Sequence, residues 1–376
     1  MSKPQKTDCG PEVIDATTGR PISNSRRRFL ANSGMYTAGL VGSALLGACS
    51  DDDNVAIADE STNNNDNAVV INGPSDAAVL QYALNLEYLE AEFYLHALTG
   101  AGLQADDTGG GSKNPGKVIV PDNAKVDFSG EKTIGKYAAE IAADELDHVL
   151  FLRSALGQAG ALVSSPEINL KSSFTAAAKA ALGTAGITAP DGFEFNPFAS
   201  PTAFLLGAFI FEDVGVTAYK GGARYIRNRD YLTAAAGILA VEAYHAGLVR
   251  TLLTERQDEI ALSVNGMDLK VGTVVNAISD ARDSLDGADD DDQGITGDQY
   301  DSVTIYGESY PANNIVPTNK YGIAYGRTPA EVHNIAYLTP KMVGPGMGDV
   351  PAVAFFPGGT RIPANPKLRN SADNTG

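Results

Sequence analysis

The sequence predicts an all-α fold, a four-helix bundle with one long crossover, followed by a largely irregular C-terminal extension. Three observations predict it. Four long segments between residues 75 and 256 repeat apolar residues in alternating steps of four and three, the spacing that keeps one helix face buried. The connection between the second and third segments is long and that between the third and fourth is short, which is a bundle with a crossover. Each apolar seam also carries a glutamate, a residue that an ordinary core excludes unless it is paired.

The first helix starts at Ser75 or Asp76, either of which can cap it, and runs to about Thr99, where Gly100 stops it. Its seam is Leu80, Leu84, Glu87, Ala91, Tyr94 and Leu98. A Gly- and Asp-rich stretch, about 101–131, follows, with a short strand at 117–120 (Lys-Val-Ile-Val). The second helix, about 132–159, has the seam Ile141, Glu145, His148 and Leu152. The third, about 200–222, carries Leu205, Ala208, Glu212, Gly215 and Tyr219, and stops at Gly221-Gly222. The fourth, about 229–256, carries Ile238, Glu242, His245, Val249 and Leu252. Beyond it, 274–285 reads as a further helix. Thr328-Pro329-Ala330-Glu331 is a capping box with proline at the first helical position, opening a short helix to about Leu338. The acidic run 289–292 lacks the alternating acids and terminal glutamate of a calcium loop and reads as a solvated turn.

Composition narrows the function. Acids outnumber bases 46 to 28, for a net charge of −18, so the surface offers no phosphate-neutralising patch and nucleic acid is not an expected partner. The two cysteines, Cys9 and Cys49, both precede the bundle, so no disulfide stabilises it. Residues 25–30 read Ser-Arg-Arg-Arg-Phe-Leu, and a weakly apolar stretch follows at 35–48, shorter than the ~20 residues a membrane-spanning helix needs. This order describes a signal peptide, and the hexamer resembles the twin-arginine motif, whose export machinery carries folded proteins. Leu46-Gly47-Ala48-Cys49 resembles a lipobox, which would acylate Cys49 and anchor the chain to a membrane. The expected organisation is a signal peptide over 1–49, a polar tether over 50–67, the bundle over 68–258 and a packed extension over 259–376. The expected location is the periplasm or cell envelope.

The chemistry lies in the seams. Glu145 and His148 are three residues apart and project from one helix face, as do Glu242 and His245. Glu87 and Glu212 occupy matching places on the other two helices, each followed seven residues later by a tyrosine, Tyr94 and Tyr219. The chain thus repeats Glu-x6-Tyr and then Glu-x-x-His. Burying these six polar groups without compensation costs several kcal/mol for each charge, and two cations offset it. One glutamate from each of two helices plus Glu-x-x-His from each of the others is the dimetal-carboxylate constellation. Tyr94 and Tyr219 are expected to bond ligand carboxylates, and His96 and His333 to make ordinary polar contacts. Glu90, Glu92, Asp144, Asp147 and Asp213 sit beside the ligands but off the seams, which predicts solvated positions, or contacts to His148 and His245 from behind.

The segments Leu86-Glu87-Tyr88-Leu89, Asp144-Glu145-Leu146-Asp147-His148, Phe211-Glu212-Asp213 and Val241-Glu242-Ala243-Tyr244-His245 resemble a ferritin-like domain. Residues 314–318 (Asn-Ile-Val-Pro-Thr) and 327–332 (Arg-Thr-Pro-Ala-Glu-Val) are similar to the branch of bacterial twin-arginine ferritin-like and plant desiccation-related proteins. The resemblance implies bridging roles for Glu145 and Glu242, with Glu87, Glu212, His148 and His245 as terminal ligands. Mixed carboxylate and imidazole donors suit iron, with manganese the alternative. The expected functions are a di-iron oxidoreductase reacting with dioxygen or peroxide, a non-catalytic stress-related envelope protein, or a manganese catalase-like dismutase. A homo-oligomer is compatible with each, and the insertions argue against a storage shell.

Overall fold

The structure, a computed structural model, describes residues 74–287, 291–297, 300–340 and 349–362. The twin-arginine motif, the lipobox at Cys49 and the tether lie outside the described residues. Helix α1 (Asp76–Thr99) opens on Ser75, whose hydroxyl accepts from Ala78 N, and ends where Gly100 turns left-handed at φ 84°. A short helix α2 (Ala105–Thr108) and strand β1 (Val118–Ile119) lead to α3 (Lys132–Gln158). The crossover carries strand β2 (Ile168–Asn169), parallel to β1, and helix α4 (Ser172–Thr184). Helix α5 (Pro201–Ala223) is capped by Ser200 with proline in its first turn, and α6 (Arg229–Glu255) is capped by Asn228.

α1 packs mainly on α3, and α5 mainly on α6, while contacts of α1 with α5 and of α3 with α6 close the bundle. The two antiparallel pairs are the two halves of the sequence repeat. They bring the four glutamate-bearing seams to one axis.

The extension is more ordered than its composition predicts. A hairpin of β3 (Ile260–Val264) and β4 (Met267–Lys270) turns through Asn265 and Gly266, both at positive φ, and feeds α7 (Val271–Asp286). A second hairpin, β5 (Ser302–Ile305) and β6 (Glu308–Pro311), precedes α8 (Pro329–Ala336), which has the expected capping box. The chain at Arg327 runs hard against α5. A Cβ at position 221 would collide with the Arg327 carbonyl, so Gly221 is what permits that approach.

This packing changes the surroundings of α1. Its residues from Ala78 to Tyr94 are all buried, including Gln81, Asn85, Glu90 and Glu92. Asn85 exchanges hydrogen bonds with the backbone of Arg361, and Phe355 bonds both Asn169 and Ala336 through its backbone. The Phe355 ring joins Phe93, Phe174 and Phe211 in an aromatic cluster. The C-terminal segment therefore covers the helix face that a four-helix bundle alone would leave in water.

The expected solvated acidic turn is also corrected. Among the described residues, Asp292 is buried, held between Arg282 at 2.7 Å and Arg327 at 2.8 Å. Arg282 also reaches Asp213 at 3.0 Å, Arg250 reaches Asp213 at 2.8 Å, and Arg327 reaches Asp286 at 2.6 Å. This buried lattice ties α5, α6 and α7 to the segment before α8.

Candidate metal centre

Glu87 on α1, Glu145 and His148 on α3, Glu212 on α5, and Glu242 and His245 on α6 converge at the middle of the bundle. The four carboxylates are fully buried, His148 and His245 nearly so. Ligand atoms fall into two groups, Glu87, Glu145, His148 and Glu242 in one and Glu145, Glu212 and His245 in the other. Glu145 belongs to both. Its Oε2 lies 3.5 Å from His148 Nδ1 and its Oε1 lies 3.0 Å from His245 Nδ1, so its two oxygens divide between the groups. His148 Nδ1 is also 3.2 Å from Glu87 and 3.7 Å from Glu242, and His245 Nδ1 is 3.6 Å from Glu212. Glu242 stands with the first group only.

The groups behind the donors fix their direction. Tyr94 on α1 donates to Glu212 on α5, and Tyr219 on α5 donates to Glu87 on α1. Each tyrosine thus holds the glutamate of the opposite half. Asp144 lies 3.2 Å from His245 Nε2, which turns that ring so that Nδ1 faces the carboxylates.

Several polar atoms here make no well-aligned hydrogen bond, although Glu145 Oε1 and His245 Nδ1 face each other at 3.0 Å. They include both oxygens of Glu145 and of Glu242, Oε2 of Glu212 and Nδ1 of His245. Buried polar atoms are almost always satisfied, so a concentration of orphans around one point needs a counterion. Carboxylate oxygens and imidazole nitrogens are the donors that iron and manganese accept, and the residues fit a pair of such ions.

Charges in the metal-free protein carry the same message. Burial, with repulsion from neighbouring carboxylates, raises the pKa of Glu242 and Glu90 well above the ordinary range, and burial raises that of Glu212. Burial pushes Glu87 up to about 7, against the pull of His148. Burial opposes charge on Glu145 too, but His148 and His245 override it and hold this carboxyl well below the usual range. Burial likewise disfavours charge on the imidazoles. Glu87 and Glu145 nevertheless push His148 up to about 10, and Glu212, Asp144 and Glu145 push His245 up to about 12. Without metal, protons take the places of cations.

Three off-seam residues depart from their solvated expectation. Glu90 is only 4% exposed, and its Oε2 is another orphan. Glu92 is buried but turned away from the centre, accepting from Leu103 N and pairing with His96 at 3.4 Å. Asp213 is buried against Arg250 and Arg282. Sequence periodicity misses Glu90, although a signal for it exists. It lies three residues after Glu87, on the same face, while the repeat has Gly215 at the matching place after Glu212.

The fold and the donor set define a four-helix bundle of the dimetal-carboxylate type. The ferritin-like domain family model matches residues 75–255, so the bundle is a ferritin-like domain, and the chain is similar to the desiccation-related branch of such proteins. It is 26% identical over 335 residues to the ferritin-like catalase Nec2 of Nesocodon mauritianus, covering 88% of this chain and 96% of that protein. It is 28% identical over 256 residues to the desiccation-related protein PCC13-62 of Craterostigma plantagineum, covering 68% and 75% respectively.

Proposed function

We propose that the bundle holds two iron or manganese ions and uses them to consume hydrogen peroxide. The observation that carries this reading is the convergence of orphaned Glu and His donors in two groups sharing Glu145. The choice of peroxide over dioxygen is supported by the relative named a ferritin-like catalase, which the chain matches over nearly its whole length. The bound ions would supply a redox couple that takes two electrons from one peroxide and gives two to another, leaving dioxygen and two waters. The protein's own part is to hold the donors. Tyr94 and Tyr219 fix Glu212 and Glu87, Asp144 fixes His245, and the apolar walls exclude bulk water.

Metal analysis of protein matured in cells, paired with an oxygen electrode, tests the reading. Two ions per chain and oxygen released from peroxide are expected. Two tightly held ions without release or uptake of oxygen would instead favour a non-catalytic role, in keeping with the relative named a desiccation-related protein. Protein without metal or turnover sinks both.

Export is part of the same proposal. A twin-arginine route moves folded protein, so the ions would be loaded in the cytoplasm before translocation, with Cys49 as a lipid anchor on the far side. Replacing Arg26 and Arg27 with lysine is expected to leave precursor in the cytoplasm, read by fractionation. Normal export of that double variant rejects the route, and absence of fatty-acid label on the wild type, with or without Cys49→Ala as control, rejects the anchor.

A further inference from the structure

We propose that Glu90 is a fifth carboxylate of the centre, standing beside Glu242 over Gly215, and that its charge is needed for the second ion to bind. The inference rests on the two-ion reading above. Glu90 stands one turn from Glu87 on α1, buried, with Oε2 free of any hydrogen bond. Its other oxygen lies over Gly215 on α5. A Cβ at 215 would sit 3.2 Å from Glu90 Oε1 and inside the van der Waals shell of Glu242 Oε2.

The two halves of the repeat explain this arrangement. They match as Glu87-x-x-Glu90 and Glu212-x-x-Gly215, so one half provides an additional carboxylate where the other provides no side chain. Glycine inside a helix costs about 1 kcal/mol relative to alanine, so Gly215 needs a local reason. The space it leaves is where the carboxylates of Glu90 and Glu242 lie. Glu92 shows what a buried glutamate on α1 looks like when its role is structural, for it bonds Leu103 N and His96.

A fifth carboxylate also defines the class of ion. Four carboxylates with neutral imidazoles balance two divalent cations. A fifth balances the added charge when one ion becomes trivalent. That selects redox-active iron or manganese over zinc or magnesium, which have no trivalent state to stabilise.

Anaerobic calorimetric titration of metal-free protein with Fe(II) or Mn(II) tests the assignment. Wild type is expected to take two ions. Glu90→Gln keeps the shape, removes the charge, and is expected to bind the first ion normally and the second at least about tenfold more weakly. Its iron-loaded form should also have a higher reduction potential, since a negative charge beside the pair is gone. Glu92→Gln should retain both ions.

Two ions at wild-type affinity and an unchanged potential in Glu90→Gln overturn the inference while leaving the two-ion reading intact. A wild-type protein that takes up no ion overturns both. Metal-free Glu90→Gln should melt no lower than wild type at pH 8, because one of several crowded carboxylates has been removed. A lower melting point would make Glu90 a structural residue, against the inference.

Discussion

Metal-loaded protein is expected to melt roughly 10 °C above metal-free protein when free metal is about a thousand times Kd, and Glu145→Gln is expected to lose most of that difference. The native state alone offers the convergent donors, so binding adds about 4 kcal/mol at that excess, and a bundle of this length converts each kcal/mol into roughly 2–4 °C. Glu145 is the residue to change because its two oxygens divide between the groups, so one substitution weakens both. The pH dependence separates this from an unspecific salt effect. Folded Glu87 takes its proton up to about 7 against an ordinary value of 4.5. The native state therefore binds more protons than the unfolded chain across that window. The contribution of Glu87 to the stability of the metal-free protein is full below about 4.5 and lost as pH rises through about 7. Glu212, Glu242 and Glu90 are raised too and act with the same sign, while His148 and His245 extend the loss towards pH 10 and 12. Within the centre Glu145, held low, acts oppositely, its contribution being lost at strongly acidic pH. Metal displaces those protons, so the metal-induced rise in melting temperature should grow between pH 5 and pH 8. Calorimetric scans with and without metal at both pH values check it. A rise that is equal at both pH values, or retained in Glu145→Gln, rejects a site built on these carboxylates.

What the sequence made legible was local. Both ends of α1 follow from Ser75 and Gly100, and the starts of α5 and α6 from Ser200 and Asn228, each acting within a turn of the helix it bounds, whereas α5 runs past the Gly221-Gly222 stop to Ala223. The six donors were legible because two Glu-x-x-His pairs and two lone glutamates stand in phase with apolar seams. The neighbours of those donors were not. Periodicity assigns one buried face per helix, but α1, besides packing on α3 and α5, is covered on a further face by residues that follow it by more than 200 positions, among them Arg361 at Asn85. Glu92 is buried instead by the chain at Leu103, and Glu90 by α5 at Gly215, neither of which the seam of α1 contains. Asp292 is similar, since an acidic run reads as solvated until Arg282 and Arg327 are known to face it. Some signals were present without being given structural weight. Asn265-Gly266 is the preferred two-residue hairpin turn, and the alanine-rich stretch from Ser172 to Thr184 is a good helix former.

Arg327→Ala is expected to destabilise the protein by about 3–5 kcal/mol, among the largest effects of any single substitution outside the metal centre. Arg327 is 1% exposed, donates to Asp286 and Asp292, and adds a hydrogen bond to Thr217 on α5. Its pKa is held above the ordinary value despite burial, chiefly by Asp292 and then Asp286, so it is charged at every accessible pH. Removing it leaves two carboxylates in a buried place with one guanidinium, Arg282, serving Asp292 and none of the named pairs serving Asp286. The exposed pair of Lys270 and Asp258 gives the contrast, at 59% and 82% side-chain exposure, and Lys270→Ala should cost under about 1 kcal/mol. Denaturant unfolding of both variants measures the difference. A pH series identifies the cause. In the wild type, burial already holds Asp286 up at about 6 in spite of Arg327, whereas the arginines keep Asp292 low. Without Arg327, Asp286 should rise further and Asp292 should rise from its low value, so that both accept protons more readily in the native state. The loss should therefore be largest at pH 8 and shrink towards pH 5, as neutral carboxyls replace unpaired charges. A loss independent of pH would trace the effect to the cavity left by the side chain and to the lost bond with Thr217. A loss no greater than that of Lys270→Ala would mean that the lattice joining the C-terminal extension to α5 does not hold the two together.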